Sequence, residues 1–209
     1  MKKYNAFLWL AAGLLVAVLT AALAPLEKTL GANARFVYFH GAWVWASLFG
    51  FLAAALTGLV GLLAGRAAWH SWSRALGRSA LVYWILFLPM SLWVMQANWN
   101  GLFLDEPRFR IPLNLAIVGA LLQIGLSFFP PVWTSAANVL FGATLFYFVR
   151  TTETVLHPDS PLFNPEAGDI RLFFIVLALL LAFTLSQLAR LWRAWEARSA
   201  HTTAPPLAV

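Results

Sequence analysis

The chain has 209 residues, of which 61% are hydrophobic and only 11% charged, and its mean hydropathy is +0.76. Soluble domains carry about 45–50% apolar and about 25% charged residues, so this composition excludes an ordinary soluble fold and, more firmly, a disordered chain. Cysteine is absent, which excludes a disulfide framework, a thiolate metal site and a Cys nucleophile.

A spanning helix needs about 20 mostly apolar residues, and six runs meet that length: 6–24, 42–64, 78–97, 111–128, 132–149 and 170–190. None alternates with a period of two, so the runs predict helices rather than barrel strands. Lys2 and Lys3 before an apolar run ending Ala22-Leu23-Ala24 have the outline of a signal peptide. The run is long for that role and Pro25 would directly follow the cut, so it is read as helix 1. The fold class is therefore all-α, a polytopic membrane protein of six transmembrane helices. Residues 1–198 form a single domain and 199–209 a flexible cytoplasmic tail.

The basic residues set the orientation. With both termini cytoplasmic, the inner segments hold Lys2, Lys3, Arg66, Arg74, Arg78, Arg190, Arg193 and Arg198, and the outer segments hold Lys28, Arg35, Arg108, Arg110, Arg150 and Arg171. Every acid but Glu196 falls outside. The net charge of +6 then reflects topology and contact with anionic membrane lipid, not nucleic acid. Helices 4 and 5 join through Phe129-Pro130-Pro131 alone, whereas the outer loops, 25–41, 98–110 and 150–169, are long and hold most polar residues. Function is expected on that outer side.

His40 lies at the outer end of helix 2 and His157 just past the outer end of helix 5. Two imidazoles at one depth can ligate one metal or hold one haem iron axially; the other reading is two separate interfacial histidines. Haem suits the residues better than zinc or copper, because no third outer His and no close-spaced ligand motif is present. Tyr38, Phe39, Trp43, Trp45, Trp93, Trp99 and Phe103 lie near the outer level, as in an aromatic belt. Trp93 and Trp99 also bracket a loop with Asp105, Arg108 and Arg110. Aromatic walls with arginines, Arg35 and Arg150 included, would suit a flat ring system with carboxylates. Gln123 and Asn138 lie seven residues before and eight after Pro130, so the hairpin predicts a hydrogen bond between them. No charged residue falls in the middle of a predicted helix, and Gly58, Gly61 and Gly65 read as helix-packing positions.

Three segments, in order and on one side, resemble the haem-handling proteins of cytochrome c maturation, of the six-helix CcmC/CcsA type. Arg35-Phe-Val-Tyr38-Phe-His40 with Trp45 is similar to the family's R-x-x-Y-x-H entrance to helix 2. Ser91-Leu92-Trp93 leads into a loop with Asp105, where the family has S-L-W and then its tryptophan-rich loop ending in Asp and Arg. Leu156-His157 looks like the family's second haem histidine. Only Trp99 remains of the loop's tryptophans, and Ala42 stands where the family usually has Pro.

The resemblance implies haem b held at the periplasmic face of a bacterial inner membrane by His40 and His157 as axial ligands. Trp93, Trp99 and Asp105 would be the reduced platform, and Arg35, Arg108, Arg110 and Arg150, with Tyr38, the surrounding contacts. The haem would pass to a haem chaperone or other maturation proteins, and the chain would be a transfer protein rather than a classical enzyme. The alternatives are a haem b electron-transfer subunit and a haem-free structural or transport subunit.

Overall fold

The computed structural model describes residues 3–28, 30–152 and 168–202. Six helices run through them: α1 (Lys3–Ala22), α2 (Ala34–Ala64), α3 (Ala67–Trp99), α4 (Pro107–Gly125), α5 (Pro131–Thr151) and α6 (Gly168–Thr202). A 3-10 turn, Leu126–Phe128, follows α4. All six helices are long and apolar enough to cross a membrane, and there is no strand among the described residues. One bundle end gathers the start of α2, the end of α3 and the start of α4, and is called the histidine end after His40. The opposite end gathers the start of α3 and the end of α6, and is called the arginine end.

The helices outrun the apolar stretches that predict them. α2 begins at Ala34 rather than 42, because Ala34, Tyr38 and Ala42 recur every four residues and form one buried stripe. α3 begins at Ala67 rather than 78, so the expected loop shrinks to Gly65-Arg66. Hydropathy ends at Arg78, but Ser73, Ala75 and Gly77 are small and buried, on both sides of that first third of the helix. α6 likewise continues past 190, through residues expected in the tail, to Thr202. Chain breaks come from backbone chemistry. Gly65 ends α2 in the left-handed region at φ +63, and Asn100 does the same for α3 at φ 52. Prolines open α4 and α5 at the first helical position.

The core sits where α2 meets α3, α5 and α6. Trp43 stacks on Tyr83 with ring centres 4.4 Å apart and donates its indole N–H to the Tyr83 carbonyl at 2.9 Å. The Tyr83 hydroxyl lies 2.7 Å from Thr184 Oγ1, which ties α3 to α6. Trp84 is almost fully buried and donates to the Pro112 carbonyl of α4 at 3.0 Å. Glycines set the approach of the backbones. A Cβ on Gly50 would lie 2.7 Å from Leu185 and 2.9 Å from Ala80, and one on Gly61 would lie 2.8 Å from His70. Gly58 is expected to pack and does, but Gly65 has nothing within 4 Å among the described residues and serves the turn instead.

The expected bond between Gln123 and Asn138 is present at 2.8 Å. It belongs to a longer seam. Asn138 Nδ2 also donates to the Ser73 carbonyl at 2.9 Å and lies 3.0 Å from Ser73 Oγ, which donates to the Ala54 carbonyl at 2.8 Å. His70 Nδ1 and Ser135 Oγ are 2.8 Å apart beside Gly61. Residues from α2, α3, α4 and α5 thus share one polar contact line, in an environment where unpaired polar groups are costly.

Gly58→Ala is expected to lower stability by about 1–3 kcal/mol, because the added Cβ would meet Ser73 Oγ at 2.8 Å and the Ser135 backbone carbonyl at 2.9 Å. Gly125→Ala, with nothing within 4 Å, is expected to be neutral or to stabilise by about 0.5–1 kcal/mol. Unfolding of the two variants in detergent, by heat or by SDS titration, reads the opposite signs.

Candidate functional site

The second turn of α2 brings His40 into the bundle at the histidine end, where it is only 4% exposed. Its ring packs on Phe87 of α3, with centres 5.8 Å apart, and Phe87 in turn meets Trp84 edge-on at 4.7 Å. One turn beyond Phe87, α3 presents Ser91, Val94, Met95 and Trp99, a stripe with helical spacing of three and four. These residues, His40, Phe103, Glu106 and Arg108 line one pocket. Glu106 precedes Pro107 as the N-cap of α4, yet its side chain makes no capping bond and is 7% exposed. Arg108 follows in the first turn of the same helix. Three helices and the 100–106 connection therefore converge an imidazole, a carboxylate, a guanidinium, a hydroxyl and aromatic faces.

The room among them is small. The pocket holds about 20 Å³, enough for a single water and not for a macrocycle. Phe103 and Trp99 form part of its lining, and Gly101 sits between them, with its Cβ position 3.3 Å from the Phe103 ring.

Of the residues singled out from the sequence, His40, Trp99 and Arg108 come together in this pocket. Trp93 does not line it. α3 extends unbroken to Trp99, so the two tryptophans lie six residues apart on one helix and point about 120° apart. Trp93 is 61% exposed and leans on Phe36 at 5.9 Å. Tyr38, two residues before His40, turns away from it toward α6 and packs on Phe173 with centres 6.0 Å apart. The Tyr38 hydroxyl is buried and has no hydrogen-bond partner among the described residues.

The arginines also separate. Arg35 Nε donates to the Ala24 carbonyl at 3.3 Å, pinning the chain that leaves α1. Arg110 is exposed and lies 3.8 Å from Asp105, itself fully exposed, so that Asp105 faces solvent while the neighbouring Glu106 faces the pocket. Arg150 is exposed in the last turn of α5. His157 lies outside the described residues, in the connection between α5 and α6.

Glu106, Met95 and Val94 are pocket residues that the sequence reading passed over. The signal for Glu106 was the Glu-Pro pair, an N-cap followed by a first-turn proline. The signal for Val94 and Met95 was their spacing from Ser91 and Trp99, which counts only once α3 is known to reach Trp99. No group of three or more His, Cys, Asp or Glu gathers as a metal site among the described residues.

No family model, curated protein or solved structure matches the chain. The likeness to the haem-handling proteins rests on the three sequence motifs alone.

Asp105→Asn is expected to leave the thermal midpoint in detergent unchanged, because its side chain is fully exposed and its contact with Arg110 is long. Phe87→Ala, which empties the wall between His40 and Trp84, is expected to cost about 3–5 kcal/mol in the same melts.

Proposed function

We propose that the protein is a haem-handling membrane protein of cytochrome c-type biogenesis, binding haem b at its histidine end. The observation that carries this reading is the burial of His40 in one pocket with Trp99 and Arg108, residues drawn from the first two of the three motifs that resemble that family. On this reading His40 and His157 are the axial ligands. The α5–α6 connection that bears His157 leaves α5 next to Arg150.

The donor types fit one side of a haem. His40 supplies an imidazole nitrogen, Trp99 and Phe103 supply aromatic surface, and Arg108 supplies a guanidinium of the kind that pairs with propionates. The volume does not fit a haem with the 100–106 connection placed as it is. Haem would supply an iron that the imidazoles of His40 and His157 would hold. The chain's own residues bind, orient and cover it, and none is assigned as an acid, base or nucleophile.

The same reading gives the orientation. The histidine end faces the periplasm of a bacterial inner membrane, both termini face the cytoplasm, and the partners are a haem chaperone or other maturation proteins. The excess of basic residues on the arginine end supports that direction.

An absorption spectrum of the detergent-purified protein, oxidised and then dithionite-reduced, tests the proposal. The expected result is a Soret band and a sharp reduced α-band. Both bands weaken in His40→Ala and in His157→Ala, vanish in the double variant, and survive in Trp93→Ala, which lies outside the pocket. A colourless parent protein that takes up no added haemin would overturn the haem reading and leave a haem-free structural or transport subunit in its place.

A further inference from the structure

We propose that α4 is the contact face of a parallel homodimer, in which the Asn114 amides of two copies bond to each other. The argument begins with the other amides inside the membrane-length helices. Asn138 and Gln187 are buried, and Gln123 turns inward to donate to Asn138 at 2.8 Å. Gln187 donates to Ser186 at 3.1 Å and accepts from Arg190 at 3.2 Å. Asn114 breaks this pattern. It is exposed, and its side chain makes no hydrogen bond among the described residues. The apolar span that contains α4 runs from Pro107 to Phe128, so Asn114 lies about 5 Å from its midpoint. At that depth a bilayer offers no water, and a side chain this short does not reach the surface. Both the donors and the acceptor of the amide therefore need a partner.

The bundle itself lies on the wrong side to supply one. α4 buries Phe109, Leu115, Ala116 and Gly119, and at about 100° per residue Asn114 points away from all four. The residues that share its side are exposed: Ile117 at 53%, Leu121 at 67% and Ile124 at 64%. α4 is also the least engaged of the six spans. Only 17% of its apolar window is buried, against 22% to 44% in the others.

Spacing and chemistry select a second copy as the partner. Asn114, Ile117, Leu121 and Ile124 are spaced by three, four and three, the seam of a parallel helix pair in which one Asn fixes register. Two copies inserted the same way meet about an axis along the membrane normal, so their Asn114 side chains fall at one depth. The amide is its own complement, since Nδ2 of each copy donates to Oδ1 of the other. A helix of a different protein would need a polar group placed at that same depth. Gly125, on the same side and with nothing within 4 Å among the described residues, leaves the far end of the seam open to close approach. Arg110, one turn before Asn114, lies at the helix start beside Asp105, where its long side chain can turn to water.

The test uses the full chain in the membranes of the cells that express it. The chain has no cysteine, so a single introduced one reports only its own surroundings. Leu121→Cys, in the seam, and Leu19→Cys, on an exposed side of α1, are each oxidised with copper phenanthroline. The expected result is a disulfide-linked product at twice the 23.1 kDa chain mass for Leu121→Cys, and little for Leu19→Cys. Adding Asn114→Leu to Leu121→Cys is expected to slow the initial cross-linking about tenfold, and Asn114→Gln to keep most of it. Asn114→Leu replaces an exposed side chain, so the thermal midpoint in detergent is expected to hold, which separates lost pairing from lost fold. No product at Leu121→Cys, a product of another mass, equal cross-linking at Leu19→Cys, or an unchanged rate with Asn114→Leu would each overturn the proposal. None of these outcomes depends on haem.

Discussion

The close approach of α2 to three other helices is the constraint on which the rest of this bundle depends. It is made at positions where a methyl group does not fit: Gly50 against Leu185 and Ala80, Gly58 against Ser73 and Ser135, and Gly61 against His70. Between helices in lipid there is no hydrophobic gain to drive association, so packing and hydrogen bonds must do it, and both need short distances. The glycines supply those distances. Once α2 and α5 touch at Gly58, Ser73 can reach the Ala54 carbonyl, and Asn138 can reach Ser73 while still accepting from Gln123. The polar seam is thus a consequence of the small-residue contact, and it in turn fixes the depth of the α4–α5 hairpin.

How much of this was legible depends on what kind of information each element needed. The number of helices was legible, because a bilayer-length apolar run has few other readings. The Gln123–Asn138 bond was legible as well, since a short connection centred on Pro130 leaves little freedom in the register of the hairpin. Helix ends were not. Hydropathy marks where a helix leaves an apolar environment, whereas the helix itself stops where the backbone is forced to turn, at Gly65 and at Asn100. The first third of α3 and the last third of α6 escaped for that reason. With them went the Arg74–Glu196–Arg78 cluster, whose members look like loop charges until both helices are extended far enough to face each other.

The candidate site divides along the same line. His40 and Arg108 were found as residue types at the right end of the chain's topology, and the structure brings them into one pocket with Trp99. Trp93, read at the end of helix 3, and Asp105, read in the loop after it, were chosen as parts of one motif but face elsewhere, because a motif match carries no angular information. Once residues 91–99 are known to be helix, the angle follows. Positions 91, 94, 95 and 99 share a side and 93 does not. The carboxylate shifts by one residue for a related reason. Pro107 fixes the start of α4, so Glu106 becomes its N-cap beneath the connection, while Asp105 stays on the outer surface.

The two bundle ends handle buried charge in opposite ways, and that contrast bears on what each can do. At the arginine end, guanidinium groups outnumber the carboxylate they share, and long side chains let them reach the boundary without moving a helix. At the histidine end, an imidazole and a carboxylate are enclosed under aromatic side chains with room for one water. A short, stiff His40 side chain cannot reach outward as an arginine can, so anything it ligates must come to it. Access then depends on the connection between α3 and α4 rather than on side-chain rotation. That connection runs from Asn100, which accepts from Gln96 at 3.4 Å, to the Glu106 N-cap, whose backbone N–H donates to the Phe103 carbonyl at 3.1 Å, with Leu102, Phe103 and Leu104 exposed between them. Trp43 on Tyr83 locks α2 to α3 deeper in the bundle, and that contact sets the position from which His40 faces the α3–α4 connection.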